Sequence, residues 1–283
     1  MKMKTSDKLN ILKVYQMANQ AADQSQNPDD KIRAYDRVIN FCRNDGVCQL
    51  DDTIKKSVVL YWSYNNIGDA LSEKNDPQRS LQYYLKGLSF ARDNLEKISV
   101  LNRMAHNYEK LGDRQNWLAT KISIVENLKI EERRKAYLAL LSEVREEAEM
   151  AVLLEKALQS VSGEELSLLA KCQNTLLISS KLTEIYRKRR EKKNLKRIKD
   201  LTAKTAVLAV KSLEGRIDAE NDHEQKLQLL GKLIEIENKF LQPGKARQKE
   251  IYRRLADTLG EDELFYYEGR KYTRARIYRK LHQ

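Results

Sequence analysis

The residues that could do chemistry are few and scattered. The three histidines are His106, His223 and His282, and the three cysteines are Cys42, Cys48 and Cys172. None of the histidines stands at a ligand-like spacing to a cysteine, so no metal site is expected. Cys42 and Cys48 could close a small loop around an Asp45-Gly46 turn. A sparse, odd set of cysteines without an apolar leader is read instead as reduced thiols in a cytoplasmic protein. Carboxylate pairs such as Glu146-Glu147 and Glu164-Glu165 are sequence neighbours, which point in different directions on a helix. There is no glycine-rich phosphate loop, no His-Glu-x-x-His and no nucleophile elbow. The expectation is a protein without catalytic residues and without cofactor.

Two clusters of cations suggest binding instead. The first is dense, with Arg187, Lys188, Arg189, Arg190, Lys192 and Lys193 in seven consecutive positions. The second interleaves Arg270, Lys271, Arg274 and Arg276 with Tyr272 and Tyr278. Neutralised phosphates would make binding at either cluster depend steeply on salt, and tyrosine faces between cations suit stacking on bases. An acidic protein partner or a plain solvated face is the alternative for each. The formal charge is +12. Residues 1–150 carry 24 Lys and Arg against 22 Asp and Glu, and residues 151–283 carry 29 against 19. The second half is therefore where a polyanion would be drawn.

The elements that must position these residues are helical. Three prolines and ten glycines in 283 residues leave few obligatory breaks, and alternating β-branched runs closed by turn dipeptides are missing. No stretch approaches the length of a membrane-spanning helix; the most apolar segment, Ala203–Leu213, still holds Lys204 and Lys211. An all-α fold follows.

An internal repeat organises the first half. Its clearest copy places Tyr64, Ile67, Gly68 and Leu71 on one helix, Asn75-Asp76-Pro77 at a turn, and Ser80, Tyr84 and Gly87 on a second helix. Asp76 reads as an N-cap with Pro77 in the first turn. Downstream, Leu101, Met104, Ala105 and Tyr108 repeat the first helix and Leu111-Gly112-Asp113 the turn, with Trp117, Lys121 and Ile124 on the second helix. Upstream, Tyr15, Ala18, Asn19 and Ala22 precede Asn27-Pro28-Asp29, then Tyr35 and Val38. The steps between copies, Ala18 to Ile67 and Ile67 to Met104, predict extra residues near 45–51 and near Asn94-Leu95.

This pattern resembles the tetratricopeptide repeat over roughly residues 12–130. The resemblance implies antiparallel helix pairs stacked into a right-handed superhelical solenoid that binds a protein or peptide in a groove lined by the first helix of each pair. At the groove positions stand Asn65, Asn66, Asp69, Asn102, Arg103 and His106, with Gln16 and Gln20 from the upstream copy. Amide side chains both donate and accept, as a peptide backbone requires. Some members of the family clamp a C-terminal carboxylate between lysine, asparagine and arginine. Only Asn66 and Arg103 match that set; Gln16, Gln20 and Ser99 replace the rest.

Beyond Glu131 the consensus fades. Helices are expected near 132–147, 149–161, 164–190, 194–213, 220–240, 244–258 and 262–280. The chain is thus divided into repeats over 1–131 and a divergent basic portion over 132–283, either continuing the solenoid or forming a separate bundle after about residue 162. A protein-binding adaptor is the first functional reading, and a nucleic-acid-associated repeat protein using the basic half is the second. Self-association through an uncapped apolar face on the last helix (Leu264, Phe265, Tyr272, Ile277) is a third.

Overall fold

The computed structural model describes residues 11–44, 50–261, 263–267 and 269–281. They divide into two compact units, Met1–Lys129 and Ile130–Gln283.

The first unit holds α1 (Ile11–Asp23), α2 (Pro28–Asn44), α3 (Leu50–Glu73), α4 (Pro77–Leu88), α5 (Asn94–Lys110) and α6 (Arg114–Glu126). Each helix packs on the next in sequence, and α1 also touches α3. The first helices of the first two pairs, α1 and α3, are therefore neighbours, the arrangement a stack of helix pairs requires. Close approach within a pair depends on small residues. A Cβ on Gly68 would stand 2.5 Å from the ring of Tyr84, and one on Gly87 would stand 2.6 Å from Asn65 Oδ1. Ser80 Oγ donates to the Gly68 carbonyl at 2.7 Å and accepts from Asn107 Nδ2 at 2.7 Å, while Ser72 Oγ donates to Asn107 Oδ1 at 3.0 Å. This chain of buried hydrogen bonds ties α3, α4 and α5 together. Around it, Tyr61, Tyr64, Ile67, Leu71, Tyr84, Val100 and Met104 form the core, with Tyr64 stacked on Phe90 at 5.7 Å between centroids.

The two tight turns have one design. Asn75 (φ 59) and Gly112 (φ 67) occupy the left-handed region. The next residue, Asp76 or Asp113, donates its N–H to the carbonyl five residues back, Leu71 or Tyr108, at 2.9 Å. The carboxylate of each aspartate then accepts the N–H three residues on, from Arg79 at 3.2 Å or Asn116 at 3.1 Å, and so caps α4 or α6. The residues expected as an extra loop near 45–51 lie partly outside the described residues. Those from Leu50 onward belong to α3, which reaches 24 residues against 17 in α5.

The second unit contains α7 (Ile130–Leu140), α8 (Glu147–Gly163), α9 (Leu168–Lys188), α10 (Lys192–Ala219), α11 (His223–Ile236) and α12 (Lys245–Thr258). Here too most helices pack on their sequence neighbours, and Leu176, Ala206, Leu213, Ile217, Leu230, Leu233, Ile251 and Leu255 share one core. The tight turn of the first unit recurs between α9 and α10. Arg190 is left-handed (φ 56), and Glu191 donates to the Tyr186 carbonyl at 3.0 Å.

The expected helix over 262–280 is not formed as such. Residues Leu264–Tyr267 (β1) pair antiparallel with Arg270–Thr273 (β2), and α13 occupies Arg274–Leu281. The physical reason is alternation: Phe265 and Tyr272 point into the core while Leu264, Tyr266 and Lys271 are exposed. Gly269 supplies the left-handed backbone (φ 73) that a two-residue connection demands. The uncapped apolar face expected on a last helix is likewise replaced, since Phe265, Tyr272 and Ile277 are buried in the unit's own core. The segment expected as one helix over 220–240 ends its regular part at Ile236, and a π turn (Glu237–Leu241) leads to left-handed Gln242 (φ 48).

Candidate functional site

The exposed face of α3 and α5 carries the first candidate site. Asp69, on α3, accepts the Tyr84 hydroxyl at 2.6 Å and faces the Arg103 guanidinium of α5 at 3.0 Å. Arg103 also donates to Ser99 Oγ at 2.9 Å. Burial, reinforced by the Asp69 carboxylate, pushes the Tyr84 hydroxyl above its usual range, so it remains a donor. His106 and Lys110 follow Arg103 on α5, and Ser72 and Glu73 follow Asp69 on α3. Together with Tyr84 these residues line one open depression. Acceptors on one helix stand beside donors on the next.

Of the residues singled out in the sequence, the structure brings Asp69, Arg103 and His106 together. Asn102 is exposed beside them on α5. Asn66 is half-buried, with its Nδ2 at 3.5 Å from the Tyr15 hydroxyl, and it faces α1. Asn65 departs from expectation. It is fully buried against Gly87, and its amide has no hydrogen-bond partner. One helical position from Asn66 is a rotation of about 100°, enough to carry it from the open face into the helix-pair interface. Gln16 and Gln20 are exposed on α1. Ser72, Glu73, Tyr84 and Lys110 were not singled out for the groove. The spacing of three or four residues from Asp69 and His106 is the signal that finds Ser72, Glu73 and Lys110.

The cation clusters lie in the second unit. Arg187, Lys188, Arg189, Arg190, Lys192 and Lys193 surround the α9–α10 turn, and all are exposed. Lys188 reaches Glu147 at 3.4 Å and Arg189 reaches Glu191 at 2.7 Å. Arg270, Lys271 and Arg276, with Tyr252 and Tyr272, line a cleft beside β2. Arg274 instead lays its guanidinium 5.9 Å from the centre of the Tyr278 ring. No described helix is long and apolar enough to cross a membrane.

These elements define an all-α helical repeat protein. The family model described as Tetratricopeptide repeat matches residues 63–94, which cover the second half of α3, all of α4 and the first residue of α5. The chain carries a tetratricopeptide repeat there, a module that is generally a non-enzymatic scaffold for protein–protein interaction. A comparison with curated proteins finds no match. Among solved structures, one described as "Computational Design of Self-Assembling Cyclic Protein Homooligomers" aligns at 12% identity over 96% of this chain and 87% of that chain, with a TM-score of 0.16.

Proposed function

We propose that the first unit is a receptor for an extended segment of a partner protein, held over the α3–α5 depression. The observation that supports it is that acceptors Asp69 and Glu73 and donors Arg103, His106 and Lys110 line one depression across α3 and α5. Within it Asp69 holds Arg103 at 3.0 Å, and Glu73 holds Lys31 of α2 at 2.9 Å. An extended peptide presents N–H and C=O groups alternately, and only a surface with both kinds of partner satisfies them. Asn66 and Asn102 extend the surface on either side of Asp69 and Arg103. A dedicated clamp for a free carboxylate is not favoured, because Gln16, Gln20 and Ser99 stand where its other members would be and Arg103 is the one matching cation.

The test is selection of peptides from a displayed random library on the full chain, followed by affinity measurement for the best binder. R103A together with H106A is expected to weaken that binder at least tenfold, while substitutions at Lys192 and Lys193 leave it unchanged. Equal loss from both sets, or from neither, would remove the depression from the site.

A further inference from the structure

We propose that the α9–α10 turn is a binding site for the phosphate backbone of double-stranded nucleic acid, separate from the peptide groove. Three turns of this protein share one backbone. The 71–76, 108–113 and 186–191 segments share the left-handed residue, the N–H bond to the carbonyl five residues back and the following helix start. In the first two, local stability chooses the residues. Asparagine or glycine takes the left-handed position, where a Cβ is least costly, and aspartate caps the next helix.

At the third turn every one of those choices is reversed. Arg190 stands in the left-handed position (φ 56), where a long side chain is unfavourable. Glu191 makes no cap hydrogen bond from its side chain to the backbone of α10. Lys192 and Lys193 occupy the first turn of a 28-residue helix, the end at which the helix dipole repels cations. Lys196 then follows Lys192 by four residues and Lys193 by three, spacings at which like charges repel. A place where propensity, capping and charge all run against the fold marks a functional surface. The missing component that would relieve all of these conflicts is an anion: it would pair the cations and accept from the helix N-terminus.

The charge balance identifies how large that anion is. Residues 187–204 hold ten Lys and Arg against two Asp and Glu. Three nearby carboxylates are taken, Glu191 by Arg189, Glu147 by Lys188 and Glu155 by Arg197, which leaves Asp200 as the acidic residue among the cations of the groove along α10. Among the described residues, Arg187, Arg190, Lys192, Lys193 and Lys196 form no ion pair and are exposed. A shallow groove lined by Lys193, Lys196, Arg197 and Lys204, with Asp200 and Leu201 between them, continues the cations along α10. From Lys192 to Lys204 the helix rises about 18 Å, so the track is long enough for a polyanion, not a single small ion.

The type of polyanion follows from what the tip lacks. Residues 187–193 contain no apolar side chain, whereas a protein interface has an apolar centre and a membrane-seated helix an apolar face. Tyr186 is buried, so no exposed aromatic ring at the turn is available to stack on an unpaired base. Cations with neither apolar anchors nor stacking rings fit the duplex backbone, bound without regard to sequence.

The test is fluorescence anisotropy of a labelled DNA duplex of about two helical turns with the full chain, between about 50 and 200 mM salt. Two variants are compared with the parent. Charge reversal at Arg187, Arg190, Lys192 and Lys193 is expected to lower affinity by at least about a hundredfold and to flatten the salt slope by about 3 to 4. Arg190→Gly is expected to raise Tm by about 2 °C, by relieving the left-handed arginine, while flattening the slope by about 1. Tighter folding with weaker binding is an outcome that a structural role for Arg190 does not produce. Absence of duplex binding at about 50 mM salt, or a slope unchanged in both variants, would overturn the proposal. So would stronger binding to polyglutamate, to phosphatidylserine vesicles or to a single strand, each assigning the tip to that other partner.

Discussion

Asn65 and Gly68 are three residues apart on α3 and share the face on which α4 packs. The Asn65 amide is buried against Gly87 and bonds to nothing. A buried amide without partners costs about 1–3 kcal/mol. Replacing it by leucine, which keeps the number and branching of heavy atoms and removes the polar ones, should leave stability unchanged or raise it, and thermal unfolding of N65L checks this. Gly68 should tolerate far less. In G68A the new methyl meets the Tyr84 ring, whose hydroxyl is anchored on Asp69, and a loss of about 1–3 kcal/mol is expected in denaturant unfolding. Arg247 makes the corresponding point in the second unit. It bridges Glu214, Glu250 and the buried Glu237, the last at 3.0 Å. R247A strands that carboxylate and should cost about 2–4 kcal/mol. The sequence makes Gly68 legible as a close-approach residue because it lies at a fixed place in a repeat. It misplaces Asn65 by one residue, because adjacent polar positions on a helix carry no mark of which one faces inward.

At the scale of elements, the helix starts are the readable features and the C-terminal hairpin is not. Asp76-Pro77 and Gly112-Asp113 give both the end of one helix and the cap of the next, and both turns form as expected. D76A should lower stability by about 1 kcal/mol through loss of the cap. Asp113 offers a pH test. Its carboxyl is held below the ordinary range by the side-chain and backbone N–H groups of Asn116. Because the folded pKa is depressed, its stabilising effect is complete above the ordinary aspartate value and is lost as pH falls through the lower folded one. Tm measured from neutral pH downward should therefore fall less steeply below pH of about 4 in D113N, whose side chain caps without titrating. The segment 262–280 holds six Arg and Lys residues, which favour helix. The competing signal, the run Leu264-Phe265-Tyr266-Tyr267 two residues before Gly269, is four residues long and decided by packing of Phe265 and Tyr272 into the core. The recurrence of the tight turn at 186–191 is hidden for the opposite reason. Its backbone is the same, but the residues that announce such a turn, glycine or asparagine and then aspartate, are replaced by Arg190 and Glu191.

For the whole molecule, charge and repeat are divided between two units. Recognisable repeats and a groove of mixed charge belong to the first, and the excess of cations to the second. The partition predicts two binding modes with different salt responses. A peptide held by hydrogen bonds to Asp69, Arg103 and His106 should lose little affinity between about 50 and 200 mM salt, whereas anything held at the α9–α10 turn should lose about 10³-fold or more if six phosphates are neutralised. The peptide proposed to bind over α3 and α5 of the first unit is the partner whose loss is simplest to read. Its binding there is tested most directly by the affinity of a library-selected peptide for the full chain and for its R103A/H106A variant. The variant should bind at least tenfold more weakly, at an unchanged Tm. Equal affinity for the two proteins would contradict it.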